Sequence, residues 1–212
     1  MTDRPKSLLE LAGAPRYPGS FESSVLVLID HQREYLESGG LPLVGIEGAV
    51  AALGRLLALA RHHGTPVFHV VHHARPGAPL FDPDRPTSHI IEGLEPVSGE
   101  EVITKSLPNA FARTDLHDRI RSTGRQELLV AGFATHMCVS STARAALDLG
   151  YRTTIVASAT ATRDLPDPLG TGGSVPAHIV QQAALAALAD RFAIIVPDIE
   201  ALGSAGAARS PD

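Results

Sequence analysis

Short runs of aliphatic and β-branched residues alternate along this chain with stretches in which apolar positions recur every three or four residues. The first pattern marks buried strands and the second amphipathic helices. Val25–Ile29, Pro66–Val71, Glu101–Thr104, Leu128–Ala131, Thr153–Ala157 and Ala193–Val196 are predicted strands. Between the first two, Val50, Leu53, Leu57 and Ala60 share a helical face, and Gly64 stops that helix. Thr114 and Asp115 open a second helix that ends at Gly124. A third carries Val139, Ala143 and Ala146 on one side and ends at Gly150, and a fourth runs from about Val175 to Ala189. Strands alternating with helices build βαβ units around a parallel sheet, so the predicted class is α/β.

Two segments break this rhythm. From His73 to Gly99 the chain has five prolines and little periodicity, which is long for a plain connection and suggests a lid or a subunit contact. From Ala201 to Asp212 it is small, polar and rich in Gly and Ala, and a flexible tail is expected. The reading is therefore an N-terminal extension over 1–22, one domain over 23–200 and a tail over 201–212.

Composition narrows the function. With 44% hydrophobic residues among 212, the chain can bury one good core. A net charge of −5 without blocks of like charge gives no footprint for nucleic acid or membrane. No Trp and only 4% aromatics leave few stacking platforms, which favours a small-molecule substrate. A single cysteine cannot form an internal disulfide, and Leu8-Leu9-Glu10-Leu11 is too brief for a signal-peptide apolar region, so a cytoplasmic protein is expected.

That cysteine, Cys138, sits where the Leu128–Ala131 strand turns into a helix. A helix N-terminus offers unpaired N–H groups and a positive dipole end, both favouring a thiolate. In an open parallel sheet ligands gather at the carboxyl ends of the strands. Asp30 ends the first strand and Lys105 the third, so three matched groups are predicted on one rim. Alone, each has an ordinary explanation: a small buried thiol, a turn carboxylate, a surface lysine.

The combination Leu28-Ile29-Asp30-His31-Gln32, then Lys105-Ser106-Leu107-Pro108-Asn109-Ala110-Phe111, then Gly132-Phe133-Ala134-Thr135-His136-Met137-Cys138-Val139 resembles the isochorismatase-like cysteine hydrolases, which include nicotinamidases and N-carbamoylsarcosine amidases. The resemblance covers about Val25 to Val196. It implies a three-layer αβα, Rossmann-like fold with a six-stranded, mainly parallel sheet and helices on both faces. It also implies a catalytic triad of Asp30, Lys105 and Cys138 that cleaves a C–N bond through a thioester. Burial should raise the pKa of Asp30, while Lys105 and the helix end should lower that of Cys138. The backbone N–H groups of Ala134 and Cys138 would form an oxyanion hole beside a cis peptide at Phe133–Ala134. Gln32, Phe111, Thr135 and Arg163 are the candidate substrate-binding residues, Arg163 for a carboxylate. A homo-oligomer, dimer or tetramer, is expected.

Nicotinamidases of this superfamily hold a metal through an Asp-x-His pair and a further His. The stretch Ser38–Val44 after Asp30 offers no such pair, and alternation sends His69 and His72 to opposite faces. No metal and no cofactor are expected, and nicotinamide is disfavoured as substrate. The alternatives are an isochorismatase-type vinyl ether hydrolase and a catalytically idle scaffold of the same fold. A redox-sensing thiol lacks a resolving cysteine in this chain.

Overall fold

The computed structural model describes residues 4–203. Its centre is a sheet of β1 (Ser24–Ile29), β2 (Val67–His72), β3 (Glu101–Lys105), β4 (Glu127–Phe133), β5 (Arg152–Ala161) and β8 (Ala193–Val196). The order is β3-β2-β1-β4-β5-β8, and every neighbouring pair is parallel. All six residues of β1 are buried, as expected of a central parallel strand covered on both faces.

Two cores follow from the alternation of side chains along the strands. Leu26, Leu28, Leu129 and Ala131 face α2 (Ile46–His62), which presents Leu53, Leu56 and Leu57. Val25, Val27, Leu128 and Val130 face the opposite layer of α3 (Leu116–Ser122), α4 (Ser140–Asp148) and α5 (Ala177–Arg191). The architecture is thus the expected three-layer αβα sandwich. Strand β5 runs four residues past its predicted end at Ala157, with a register shift opposite Val130 and Gly132. A short hairpin of β6 (Leu165–Pro166) and β7 (Ser174–Val175) precedes α5 and has no periodic signal in the sequence.

The segment ahead of β1 packs on the domain body. Helix α1 (Leu8–Leu11) is closed by a Ser7–Glu10 capping box and docks on α5 through the Leu8 N–H and Asp190 Oδ1, 2.8 Å apart. Helix α6 (Glu200–Gly203) buries Leu202, and the remainder of the expected tail, 204–212, lies outside the described residues.

The His73–Gly99 segment is pinned over the ends of β1 and β2. Glu34, buried after β1, accepts the Phe81 N–H at 3.0 Å and the Thr87 hydroxyl at 3.0 Å through Oε2, and the Gly40 N–H at 2.9 Å through Oε1. Phe81, Ile91 and Leu94 insert into the α2-side core.

The tightest joint lies directly behind the strand ends. Gly132 has φ +116°, and a Cβ there would sit 2.0 Å from the Ile29 carbonyl oxygen. Gly132→Ala is expected to cost about 2–4 kcal/mol. Thermal and denaturant unfolding check this, and a variant as stable as the parent would contradict it.

Candidate active site

Three loops bring the predicted triad together. Asp30 leaves β1 in the left-handed region, φ 46°, a conformation that Asp tolerates better than most residues. Lys105 ends β3, in register with His72 at the end of β2. After β4 the Phe133–Ala134 peptide is cis, and Thr135–Val139 forms a π-type turn that leads into α4. The Ala134 carbonyl accepts from the N–H groups of Met137 at 3.0 Å and Val139 at 3.3 Å, which holds Cys138 at the sheet end.

Lys105 is the hub. Its Nζ donates to Asp30 Oδ2 at 2.7 Å, to Cys138 Sγ at 3.3 Å and to His72 Nδ1 at 3.2 Å. An ammonium has three donors and no acceptor, so His72 must accept on Nδ1 and carry its proton on Nε2. Burial, reinforced by the Lys105 charge, drops His72 to about 4 and keeps the ring neutral. Asp30, Lys105 and Cys138 are 0, 2 and 5% exposed. Asp30 Oδ1 is buried with no hydrogen-bond partner among the described residues.

The electrostatics differ from expectation at the thiol. Burial raises the pKa of Asp30, against the opposing pull of Lys105. Cys138 is pushed up as well, to about 12, by burial first and the Asp30 charge second, and Lys105 offsets only part of this. The resting thiol is therefore neutral, whereas the sequence suggests a standing thiolate. The strand-to-helix junction is right, but the sulfur is enclosed and faces a negative charge.

The other candidates separate. Gln32 commits its amide to backbone: Nε2 donates to the carbonyls of His72 at 2.9 Å and Ser88 at 2.6 Å, and Oε1 accepts from the His72 N–H at 2.8 Å. It braces β2 and the long loop. Thr135 donates its hydroxyl to the Ala161 carbonyl at 3.0 Å and ties the cysteine turn to β5. Phe111 stacks on Tyr151, 5.8 Å between ring centres, which lies just before β5 begins. Tyr151 follows the C-terminal end of α4, about 13 Å of helix away from the cysteine turn. Arg163 lies past β5, and its guanidinium bonds the Asp164 carbonyl, at 3.0 Å. The acids nearest to it in sequence are committed elsewhere, Asp164 to the Ala177 N–H and Asp167 to Leu169 and Thr171.

Sequence reasoning missed His72 and Tyr35. The position of His72, opposite Lys105 at adjacent strand ends, was the available signal. Tyr35 comes from a short 3-10 turn with no periodicity, yet it is buried edge-on to Phe133 with ring centres 5.9 Å apart. Burial, then the charges of Asp30 and Cys138, raise its pKa well above the ordinary value.

A carboxylate, a lysine and a thiol thus converge on the carboxyl edge of a parallel αβα sheet. The Isochorismatase domain model matches residues 24–198, and the chain belongs to that family of hydrolases. A secreted isochorismatase effector of Verticillium dahliae is 35% identical over 90% of this chain and 96% of its own. A streptothricin hydrolase of Streptomyces noursei is 34% identical over 87% of this chain and 72% of its own. The crystal structure of an isochorismatase from Pseudomonas putida KT2440 superposes with a TM-score of 0.85 at 42% identity, covering 92% of this chain and 97% of that one. More distant relatives carry the names maleamate amidohydrolase and ureidoacrylate amidohydrolase.

Because Cys138 is the only cysteine, its alkylation reports on the site alone. Iodoacetamide should modify it slowly at neutral pH and faster as pH climbs toward the thiol value of about 12. Asp30→Asn removes the repelling charge and should move the curve to lower pH, so that the rate at a fixed pH rises about tenfold for each pH unit by which the thiol becomes more acidic. An unchanged curve in Asp30→Asn would show that the two groups are not coupled.

Proposed function

We propose that this protein is a cysteine amidohydrolase that cleaves an amide, carbamoyl or lactam C–N bond of a small molecule through a thioester. The observation that carries the reading is the buried contact of one ammonium with both a carboxylate and a thiol, beside the unpartnered Asp30 Oδ1. The names of the streptothricin hydrolase and amidohydrolase relatives support it.

The steps follow from these positions. Cys138 Sγ adds to the carbonyl carbon while its proton passes to Asp30. A thiol held near 12 is a weak nucleophile until that transfer, so bond formation and deprotonation proceed together. Negative charge moves to the carbonyl oxygen, where the N–H groups of Ala134 and Cys138 receive it. Asp30 returns the proton to the leaving nitrogen, the C–N bond breaks, and ammonia or an amine departs. Water then attacks the thioester, giving one proton to Asp30, and the proton returns to sulfur as the acid leaves. Lys105 holds the site's charge in balance as negative charge passes from the Asp30 carboxylate to the carbonyl oxygen. In this reading Arg163 would grip a substrate carboxylate. The lone thiol suits a cytoplasmic protein, and a homo-oligomer accords with the resemblance. Among the described residues no helix is long and apolar enough to cross a membrane.

Ammonia release from a panel of small amides, ureido acids and cyclic amides is the test. A responding substrate should be lost by at least ~10³-fold in Cys138→Ala and be indifferent to chelator. Retained turnover in Cys138→Ala would refute the covalent route. Conversion of isochorismate with silence across the amides would assign the vinyl ether reaction, and silence on both would leave an idle scaffold.

A further inference from the structure

A second buried network runs from the base of the sheet to the catalytic strand end, and the proposed hydrolysis does not use it. His31 Nε2 meets His69 Nδ1 at 2.9 Å, and His69 Nε2 meets Glu100 Oε2 at 2.8 Å. Arg61 from α2 grips both Glu100 oxygens at 2.8 Å and bonds the Glu95 carbonyl at 2.8 Å, while the Val97 N–H donates to Glu100 at 2.9 Å. Both imidazoles are fully buried. Arg61 and its companions hold Glu100 down at about 2, against the opposing effect of burial, so it is a carboxylate and accepts only. His69 must therefore donate from Nε2 and accept on Nδ1, and His31 must donate from Nε2. His31 Nδ1 is then a bare acceptor, and it is indeed buried without a partner among the described residues.

The direction of this relay is fixed by its charged end, and its far end is the residue next to Asp30. His31 also stands between two committed neighbours. Asp30 is in the left-handed region, Gln32 clips β2 to the long loop, and the His31 carbonyl accepts the Ile91 N–H at 3.0 Å. We propose that His69 and Glu100 are positioning residues for Asp30: the relay locks the His31 ring, and so the turn that aims the carboxylate at Cys138. The inference rests on Asp30 and Cys138 forming the reacting pair. His69 touches neither, and acts only through His31.

Alkylation of Cys138 by iodoacetamide, followed from about pH 6 to about pH 11, tests this without a known substrate. The groups that set that profile are Asp30, Lys105 and, by its nearness, Tyr35. The proteins compared are the parent, Asp30→Asn, His69→Leu and His69→Gln. Leucine leaves His31 without its acceptor; glutamine can accept from His31 and donate to Glu100. His69→Leu should move the profile in the same direction as Asp30→Asn, by at least threefold in rate at mid-range pH, and His69→Gln should restore the parental curve. Melting temperature, read beside it, separates a shifted profile from a lost fold, and if His69→Leu fails to fold, Glu100→Gln takes its place. A shifted Asp30→Asn profile with a parental His69→Leu or Glu100→Gln profile overturns the positioning role. An Asp30→Asn profile identical to the parent's overturns instead the reacting pair, and the positioning role with it.

Discussion

The buried ion pair between Lys105 and Asp30 is the constraint on which the rest of the site depends. Its side chains are completely enclosed, with 2.7 Å between Nζ and Oδ2. Taking both charges out of water costs several kcal/mol per ion, which their attraction recovers only with full hydrogen bonding. An apolar pair of similar size would serve the core as well or better, so the pair is poor evidence for stability and good evidence for a functional site. The strand order explains how it forms. Lys105 on β3 reaches across His72 on β2 to Asp30 just past β1, and the turn after β4 adds Cys138. One lysine thus gathers groups from three other strand ends.

That geometry also explains why the thiol is not a standing thiolate. A carboxylate, a thiolate and one ammonium in an enclosed site would leave a net negative charge with little solvent to spread it. Storing the proton on sulfur avoids this, and Asp30 Oδ1 has no hydrogen-bond partner among the described residues. The long loop contributes by enclosure. Glu34 and Gln32 bind its backbone, and its Phe81 ring packs edge-on to His72 with 5.1 Å between ring centres.

Much of this was legible in the sequence because the sheet is parallel and doubly covered. Its strands read as continuous apolar runs, and the residue after each run, as with Asp30, Lys105 and the turn to Cys138, is placed on the carboxyl edge by topology alone. Residues whose role depends on contacts between distant segments were not legible. His72 and His69 differ in the face each occupies and the partner it finds there, Lys105 or Glu100. Glu34 and Tyr35 sit in a short turn without a period, and their burial depends on Phe81 folding back from the loop. Phe111 shares a motif with Lys105 but follows a bend that carries it to Tyr151, where it packs half-buried against the core. The thiol's electrostatics were misjudged because a helix terminus is visible in sequence, and enclosure beside a carboxylate is not.

If Cys138 is the nucleophile, it becomes acylated during turnover. Intact-mass measurement of the protein quenched during turnover of a responding amide tests this most directly. The expected result is a mass increase equal to the acyl part of the substrate, located on Cys138, absent in Cys138→Ala and discharged by hydroxylamine. Turnover of the same amide by the parent protein with no adduct at any quench time, and undiminished turnover in Cys138→Ala, would contradict it.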